Sequence, residues 1–145
     1  VRHATDIASP LHKNASMILE LVAINDINLV LPYHAQIAAV LKYLTDETSI
    51  RCFSKICLLL SFRPLARNIR EAITEACFDW LIGEHKVAPK AYSMYVLANF
   101  ADADDWIADE LRIIIAKEYS DSQPAFKAAA RKVLRQLNKK PQTKD

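Results

Sequence analysis

The four histidines of this 145-residue chain are the first side chains that could carry chemistry, because imidazole is a common metal ligand. They are His3, His12, His34 and His85. A metal site needs three or four ligands that converge on one point. No histidine here lies four residues from another, or from a run of carboxylates on one helix face. The spacing predicts surface or loop histidines, with no metal site and no cofactor.

Two tryptophans each follow an aspartate, in the pairs Asp79–Trp80 and Asp105–Trp106. Either pair could contribute to a functional site. Trp80, however, shares the apolar face of its predicted helix with Ile73. We therefore predict that Trp80 packs in the core and that Trp106 packs at the corner between two helices.

Three cysteines, Cys52, Cys57 and Cys77, are an odd number without the CxxC spacing of many metal and redox sites. Small apolar side chains are expected at these positions. We interpret all three as buried free thiols, which persist in a reducing compartment. The sequence thus predicts a cytoplasmic protein. Because the chain begins at Val1, a targeting segment or a further repeat could precede it.

Cations concentrate near the end of the chain, although the net charge is only +2. The basic residues of this region are Lys127, Arg131, Lys132, Arg135, Lys139, Lys140 and Lys144. Such a patch can bind nucleic acid or an acidic partner. A polar last helix is also what the exposed end of a repeat array needs. We favour the second interpretation, a solvated cap.

The elements that must position these residues are visible as repeats. Four ten-residue segments align without gaps and begin at Lys13, Arg51, Lys90 and Lys127, 37 to 39 residues apart. Their fourth place holds Ser16, Ser54, Ser93 and Ala130, and their seventh holds Leu19, Cys57, Val96 and Val133. Cations at helix starts are electrostatically unfavourable, so we predict a structural salt bridge with carboxylates such as Glu47. A period near 40 residues built from helix pairs is typical of α-solenoids.

The fold is accordingly predicted to be all-α, with about seven helices paired antiparallel in a right-handed α-α superhelix. One glycine in 145 residues argues against sheets and phosphate-binding loops, which need glycine in their turns. A single domain is expected over residues 1–138, with repeats near 9–44, 47–82 and 88–119 and a half repeat at 123–138. Residues 139–145 are predicted to be a charged flexible tail. No apolar run reaches the roughly 18 residues of a membrane span.

Three local signals set helix boundaries in this prediction. Ser9 and Pro10 are expected to start the first helix, as N-cap and first helical residue. A continuous second helix is expected from Pro32 to Leu44, with apolar residues on one face. Gly83 is expected just past the end of the fourth helix, at the position that glycine favours.

Four motifs resemble the HEAT-repeat superfamily, and most closely a group of short bacterial HEAT-like proteins. They are CFDWLI (77–82), KAYSMYVL (90–97), WIADEL (106–111) and FKAAARKVL (126–134). The N-terminal half of the chain resembles the family by period more than by motif. Members of the group are sometimes labelled adenylosuccinate lyase. Such lyases are long helical bundles with a Ser- and Gly-rich loop, which a 145-residue chain with one glycine does not supply.

The resemblance also implies an alternative, since HEAT-like DNA glycosylases hold a cationic base with aromatic rings and an aspartate on a basic concave face. The predicted sixth helix is instead net negative. It carries Asp104, Asp105, Asp109, Glu110 and Glu118 against Arg112 and Lys117. Such a face repels phosphates. No catalytic triad or phosphate loop is visible either, so we predict no enzyme activity.

The leading prediction of function is a non-catalytic module that binds a protein or peptide on its concave surface. In the expected geometry the second helix of each pair lines that surface. The candidate contact residues there are Arg70, Glu71, Thr74 and Arg112. A HEAT-like nucleic-acid-binding or glycosylase-like protein is the alternative, and the identity of the partner stays open.

Overall fold

The computed structural model describes residues 1–139, which form seven α-helices and no strand. The helices are α1 (His12–Asn25), α2 (His34–Val40), α3 (Glu47–Leu60), α4 (Arg67–Ile82), α5 (Val87–Phe100), α6 (Asp105–Glu118) and α7 (Pro124–Lys139). The all-α prediction is thus confirmed. The predicted tail begins one residue too early, because Lys139 still belongs to α7, and its remainder lies outside the described residues. No described helix is long and apolar enough to cross a bilayer.

The structure corrects two boundaries in the first repeat. Helix α1 begins at His12, three residues after the predicted N-cap, and Ser9 instead accepts the backbone amide of Leu11 at 3.1 Å in the preceding turn. The predicted second helix is broken into pieces. Short 3-10 segments flank α2 at Leu31–Tyr33 and Leu41–Tyr43. Proline has no amide hydrogen and fits only a first turn, so Pro32 lies in the first turn of a separate short segment.

The odd-numbered helices form one layer, in which α1 packs on α3, α3 on α5 and α5 on α7. The other helices lie against this layer and each other. Helix α4 packs mainly on α5 and also on α2, while α6 packs on α5 and α7. Layers of stacked helices are what a solenoid requires. The right-handed superhelix itself stays a prediction.

The predicted burial at equivalent places of the four aligned segments is confirmed. All four residues at the seventh place of the aligned segments are buried, as are all four at the fourth place. The latter are three serines and an alanine, so each odd-numbered helix presents a small side chain inside the layer. Two of the serines satisfy their hydroxyls within their own helix: Ser16 donates to the His12 carbonyl and Ser54 to the Arg51 carbonyl. Small side chains at these positions let neighbouring helices approach closely.

The three cysteines are free and buried, as predicted. Burial raises the pKa of Cys77 to about 12, against a smaller opposing effect of a hydrogen bond with Ser93. Burial also raises the pKa of Cys52 to about 12, with the nearby Glu20 carboxylate adding to the effect. For Cys57, burial holds the pKa well above its ordinary value. All three are therefore neutral thiols in the folded protein.

Helix α3 is capped by Asp46, whose Oδ1 accepts the backbone amide of Ser49 at 2.8 Å. The other carboxylate oxygen lies 3.7 Å from the His12 ring. Burial alone raises the pKa of Asp46, but the hydrogen bonds from Ser49 and the charges of His12 and Lys13 outweigh it. The pKa of Asp46 consequently lies below its ordinary value of 3.8.

We expect Asp46→Ala to lower the free energy of unfolding by about 1 kcal/mol at neutral pH, the usual effect of losing an N-cap. Because the folded-state pKa of Asp46 is depressed, its contribution is present above about pH 4 and is lost as the pH falls through that pKa. Urea titrations near pH 7 and near pH 3 should therefore show the gap between wild type and variant shrinking in acid. A gap that stays constant with pH would contradict this role. Asp121→Asn, at an exposed position, is the control.

Gly83 is the C-cap of α4, but its φ of −80° and ψ of 179° are extended rather than left-handed. The predicted position of Gly83, directly after the last residue of α4, is confirmed, but a left-handed backbone is not the reason for a glycine here. Close approach of the backbone is the actual reason. A Cβ at this position would lie 2.9 Å from the Asp79 carbonyl oxygen and 3.0 Å from the His85 ring. No side chain fits there unless the turn shifts.

Gly83→Ala should lower the free energy of unfolding by about 1–2 kcal/mol, since the added methyl overpacks the turn. In an unstrained position the same change would stabilise by about 0.4–1 kcal/mol. A urea titration shows whether the free energy of unfolding falls, as an overpacked turn requires, or rises, as an unstrained position would give. Glu84→Ala, at the exposed neighbouring residue, is the control and should stay within about 0.5 kcal/mol of wild type.

Candidate functional site

A groove of about 890 Å³ runs between α4 and the start of α6, and we call it the α4–α6 groove. Its apolar lining residues are Leu65, Phe78, Ala103, Trp106 and Ile107. Its polar and charged lining residues are Arg67, Arg70, Glu71, Thr74, Glu75, Asp79 and Asp104. Most of them lie on α4 at spacings of three and four residues, which places them on one helix face. A single face of α4 therefore forms one wall of the groove.

The aromatic pair Phe78 and Trp106 joins the two sides of this groove. Their rings stack with centroids 5.7 Å apart and planes inclined by 28°. Trp106 lies in the first turn of α6 and is 56 % exposed, whereas Trp80 is 4 % exposed. The prediction of core packing is confirmed for Trp80. Trp106, which was predicted to pack at the corner between α5 and α6, instead stacks on Phe78 of α4 and remains more than half exposed. The indole of Trp106 therefore lies on the groove wall, and its stacking partner Phe78 is itself a groove residue.

Both arginines of the groove are engaged by carboxylates. Arg70 donates to Asp104 at 3.1 Å and so bridges α4 to the N-terminus of α6, and its guanidinium lies 5.1 Å from the ring centre of Phe100. Arg67 donates to Glu71 at 3.0 Å, one turn along α4. The Arg70–Asp104 pair fixes the width of the groove at one end, since it connects the two helices that form the walls.

Two further carboxylates, Glu75 and Asp79, lie one turn apart on α4 and are exposed. Neither forms a salt bridge with any described residue. Both also line a smaller pocket of about 320 Å³ between α2 and α4, and Asp79 borders a third depression beside Trp80. These two side chains therefore lie where the α4–α6 groove meets the smaller pocket between α2 and α4.

The sequence-predicted contact residues are only partly brought together. Arg70, Glu71 and Thr74 all line the α4–α6 groove. Thr74 is buried and donates its hydroxyl to the Arg70 carbonyl at 2.7 Å, so it supports α4 and offers little to a ligand. Arg112 is not among the groove residues and lies 3.6 Å from Asp109 on its own helix. Helix α6 contributes only residues of its N-terminal turn, Trp106 and Ile107, to the groove lining.

Sequence reasoning missed Phe78, Glu75 and Asp79 as parts of the same surface. A signal for the two acids was present, because Glu71, Glu75 and Asp79 follow one another at intervals of four and must share a helix face. No comparable signal existed for Phe78. Its role depends on the position that α6 takes beside α4.

The four histidines lie apart from one another, each with its own surroundings. Among residues 1–139, no group of three or more His, Cys, Asp or Glu side chains could hold a metal ion. His85 lies 2.7 Å from Glu47, and His34 lies 2.8 Å from the Leu31 carbonyl. His12 is 7 % exposed, so the prediction of a surface or loop position is wrong for it. It lies in the first turn of α1, covered by its packing against the start of α3.

Two of the cations that open the aligned segments, Arg51 and Lys127, have partners of their own. Arg51 donates to Glu20 of α1 at 3.2 Å, which is the predicted structural salt bridge with a different carboxylate. Glu47 pairs instead with His85. Lys127 lies over the Tyr119 ring at 5.5 Å. These cations therefore tie helices together individually.

Some of the basic residues of α7 also contact aromatic side chains. Lys132 lies 5.7 Å from the ring centre of Tyr95, and Arg131 donates to the Tyr119 hydroxyl at 2.8 Å. Contacts of this kind anchor a terminal helix and agree with the cap interpretation. Lys140 and Lys144, which belong to the predicted patch, lie outside the described residues.

Comparison with known proteins gives no relative for this chain: no protein-family model, no curated protein and no solved structure matches it. The resemblance to HEAT-like proteins stays a prediction for that reason. The α4–α6 groove is therefore the feature of this chain that bears on function.

Proposed function

We propose that this chain is a non-catalytic module that binds a protein or peptide segment in the α4–α6 groove. The observation that carries the proposal is the exposed Trp106, stacked on Phe78 in a groove of about 890 Å³. Tryptophan and tyrosine dominate binding energy at protein interfaces because they bury large areas with few rotatable bonds. A tryptophan held in place by a stacked neighbour is already ordered for binding.

The remaining lining suits a polypeptide. Leu65 and Phe78 supply partly buried apolar surface beside Trp106, and charged side chains surround it. Recognition of an extended or helical segment uses this combination, with a few apolar anchors and a polar rim. The volume is at the upper end of the roughly 300–1,000 Å³ of small-molecule pockets. A peptide with one or two large side chains would fill it.

The nucleic-acid and glycosylase-like alternative is less well supported by the charges of the groove. Its two arginines are both paired, and the remaining carboxylates would repel a phosphate backbone. We also propose no lyase activity, no other catalysis and no cofactor. The three free thiols favour a reducing compartment, which supports a cytoplasmic location.

Selection from a phage-displayed library of random 12-residue peptides, with counter-selection on Trp106→Ala, tests the proposal. We expect enriched peptides to lose at least tenfold in affinity on Trp106→Ala, about 1.4 kcal/mol, as measured by fluorescence anisotropy. Ile113→Ala is the matched control, because it truncates another exposed apolar side chain of α6 away from the groove. Circular dichroism shows whether both variants fold. Failure to enrich any peptide, or equal loss in the control, would contradict peptide binding in this groove.

A further inference from the structure

We infer that the occupant of the α4–α6 groove is a basic peptide segment, whose lysine or arginine side chains pair with Glu75 and Asp79 and lie against Trp106. This inference rests on the proposed function and specifies the chemistry of the partner. Its basis is charge complementarity between the groove and a cation, together with the exposed aromatic face.

The charges of the groove are unequal. Four carboxylates line it against two guanidinium groups. The guanidinium groups of Arg67 and Arg70 are held by two of the carboxylates, Glu71 and Asp104. The groove therefore retains two negative charges, Glu75 and Asp79, that no described side chain neutralises by a salt bridge. A cationic side chain would gain from both, while an anionic one would be repelled.

The position of these two carboxylates suits a chain that crosses α4. Both line the α4–α6 groove and the smaller pocket between α2 and α4. A segment that extends from one to the other must pass them. The basic residue of the smaller pocket is Lys42, and its ammonium lies 5.3 Å from the ring centre of its neighbour Tyr43. Lys42 forms no salt bridge with either carboxylate, so both remain available.

Trp106 adds a second attraction for cations. Phe78 stacks against the indole, yet more than half of the tryptophan remains exposed. The indole face is the strongest aromatic partner of ammonium and guanidinium groups. Arginine also stacks flat on such a ring, so it can contact the indole and a carboxylate at once. The acidic and aromatic features of the groove therefore favour the same class of side chain.

Three fluorescein-labelled 12-residue peptides test the inference, each with three copies of one four-residue unit. The units are Arg-Gly-Ser-Leu, Ser-Gly-Ser-Leu and Glu-Gly-Ser-Leu. We expect the arginine peptide to bind the full chain at least tenfold more tightly than the serine peptide, and the glutamate peptide to bind most weakly. The double variant Glu75→Gln/Asp79→Asn should bring the arginine peptide within threefold of the serine peptide. Both substitutions keep the shape of exposed side chains, and an unchanged thermal midpoint will show that folding is unaffected.

The matched control is Glu110→Gln/Asp121→Asn, which removes the same two negative charges at exposed positions outside the groove. It should leave the preference for the arginine peptide at tenfold or more. An equal loss in this control would mean that net charge alone attracts the peptide, and would overturn the inference.

The remaining outcomes separate the inference from the proposed function. If the arginine and serine peptides bind equally and both lose affinity on Trp106→Ala, the groove binds peptides without a preference for basic ones, and only the inference fails. If no peptide binds in a Trp106-dependent way, both fail. An 18-base-pair DNA duplex is the last probe. DNA binding that is tighter than that of the arginine peptide and is lost on Trp106→Ala would overturn both in favour of nucleic acid.

Discussion

Val96→Asp should reduce the free energy of unfolding by about 4 kcal/mol or more, because it places a carboxylate where nothing can solvate or pair it. Val96 is fully buried in the middle of α5, the helix that packs on α3, α4, α6 and α7. No other described helix packs on so many neighbours. A change in the packing of α5 therefore affects four other helices. Domains of this size are commonly stable by only about 5–15 kcal/mol.

Urea titration followed by circular dichroism measures the effect, and two variants calibrate it. Val96→Ala removes two methyl groups at the same position and should cost about 1–3 kcal/mol. Ile18→Asp introduces the same acid on α1, where the side chain is 62 % exposed, and should stay within about 0.5 kcal/mol of wild type. If Val96→Asp unfolds at the same urea concentration as Ile18→Asp, the repeat register is wrong.

Ser54→Leu should be the second most damaging substitution, with a loss of about 3 kcal/mol. Ser54 is fully buried on α3, the helix that packs between α1 and α5. A leucine at this position needs space that only a separation of the helices could provide. The effect thus tests whether the small residue at the fourth place of each segment is there to allow close approach.

Ser54→Ala is the matched control for that substitution. It removes only the hydroxyl that donates to the Arg51 carbonyl at 2.9 Å, a bond within one helix turn that should be worth less than about 1 kcal/mol. Thermal unfolding of the two variants side by side gives the comparison. Similar midpoints for Ser54→Leu and Ser54→Ala would show that the layer has room at this point, contrary to the packing described above.

The packing layer was predictable because its rules are local. A small residue followed three places later by an apolar one puts both on the same helix face, and four copies of that pattern identify α1, α3, α5 and α7. The interruption around α2 was harder to predict, because apolar periodicity continues through the 3-10 segments. The reason for Gly83 was also out of reach, since the clash that requires it involves the Asp79 carbonyl and the His85 ring.

The candidate site was predictable on one wall only. Arg70 and Glu71 were identified as surface residues of a helix whose other face is apolar, and this is a property of one helix. The stack of Phe78 on Trp106 joins two helices whose first residues, Arg67 and Asp105, are 38 residues apart, with all of α5 between them in the chain. Its existence depends on the angle between those helices, and periodicity carries no information on that angle.

The three buried cysteines can report on local unfolding of the helices that contain them. Thiol reagents attack the thiolate, and Cys52, Cys57 and Cys77 are shielded and neutral while their helices are in place. Each thiol can react only during the moments when α3 or α4 detaches from its neighbours. The rate of thiol labelling under native conditions thus measures how often each of the two helices opens, as amide hydrogen exchange does for backbone amides. Helix α4, which forms one wall of the groove, contains Cys77 as its one cysteine, so its opening can be followed without an engineered probe.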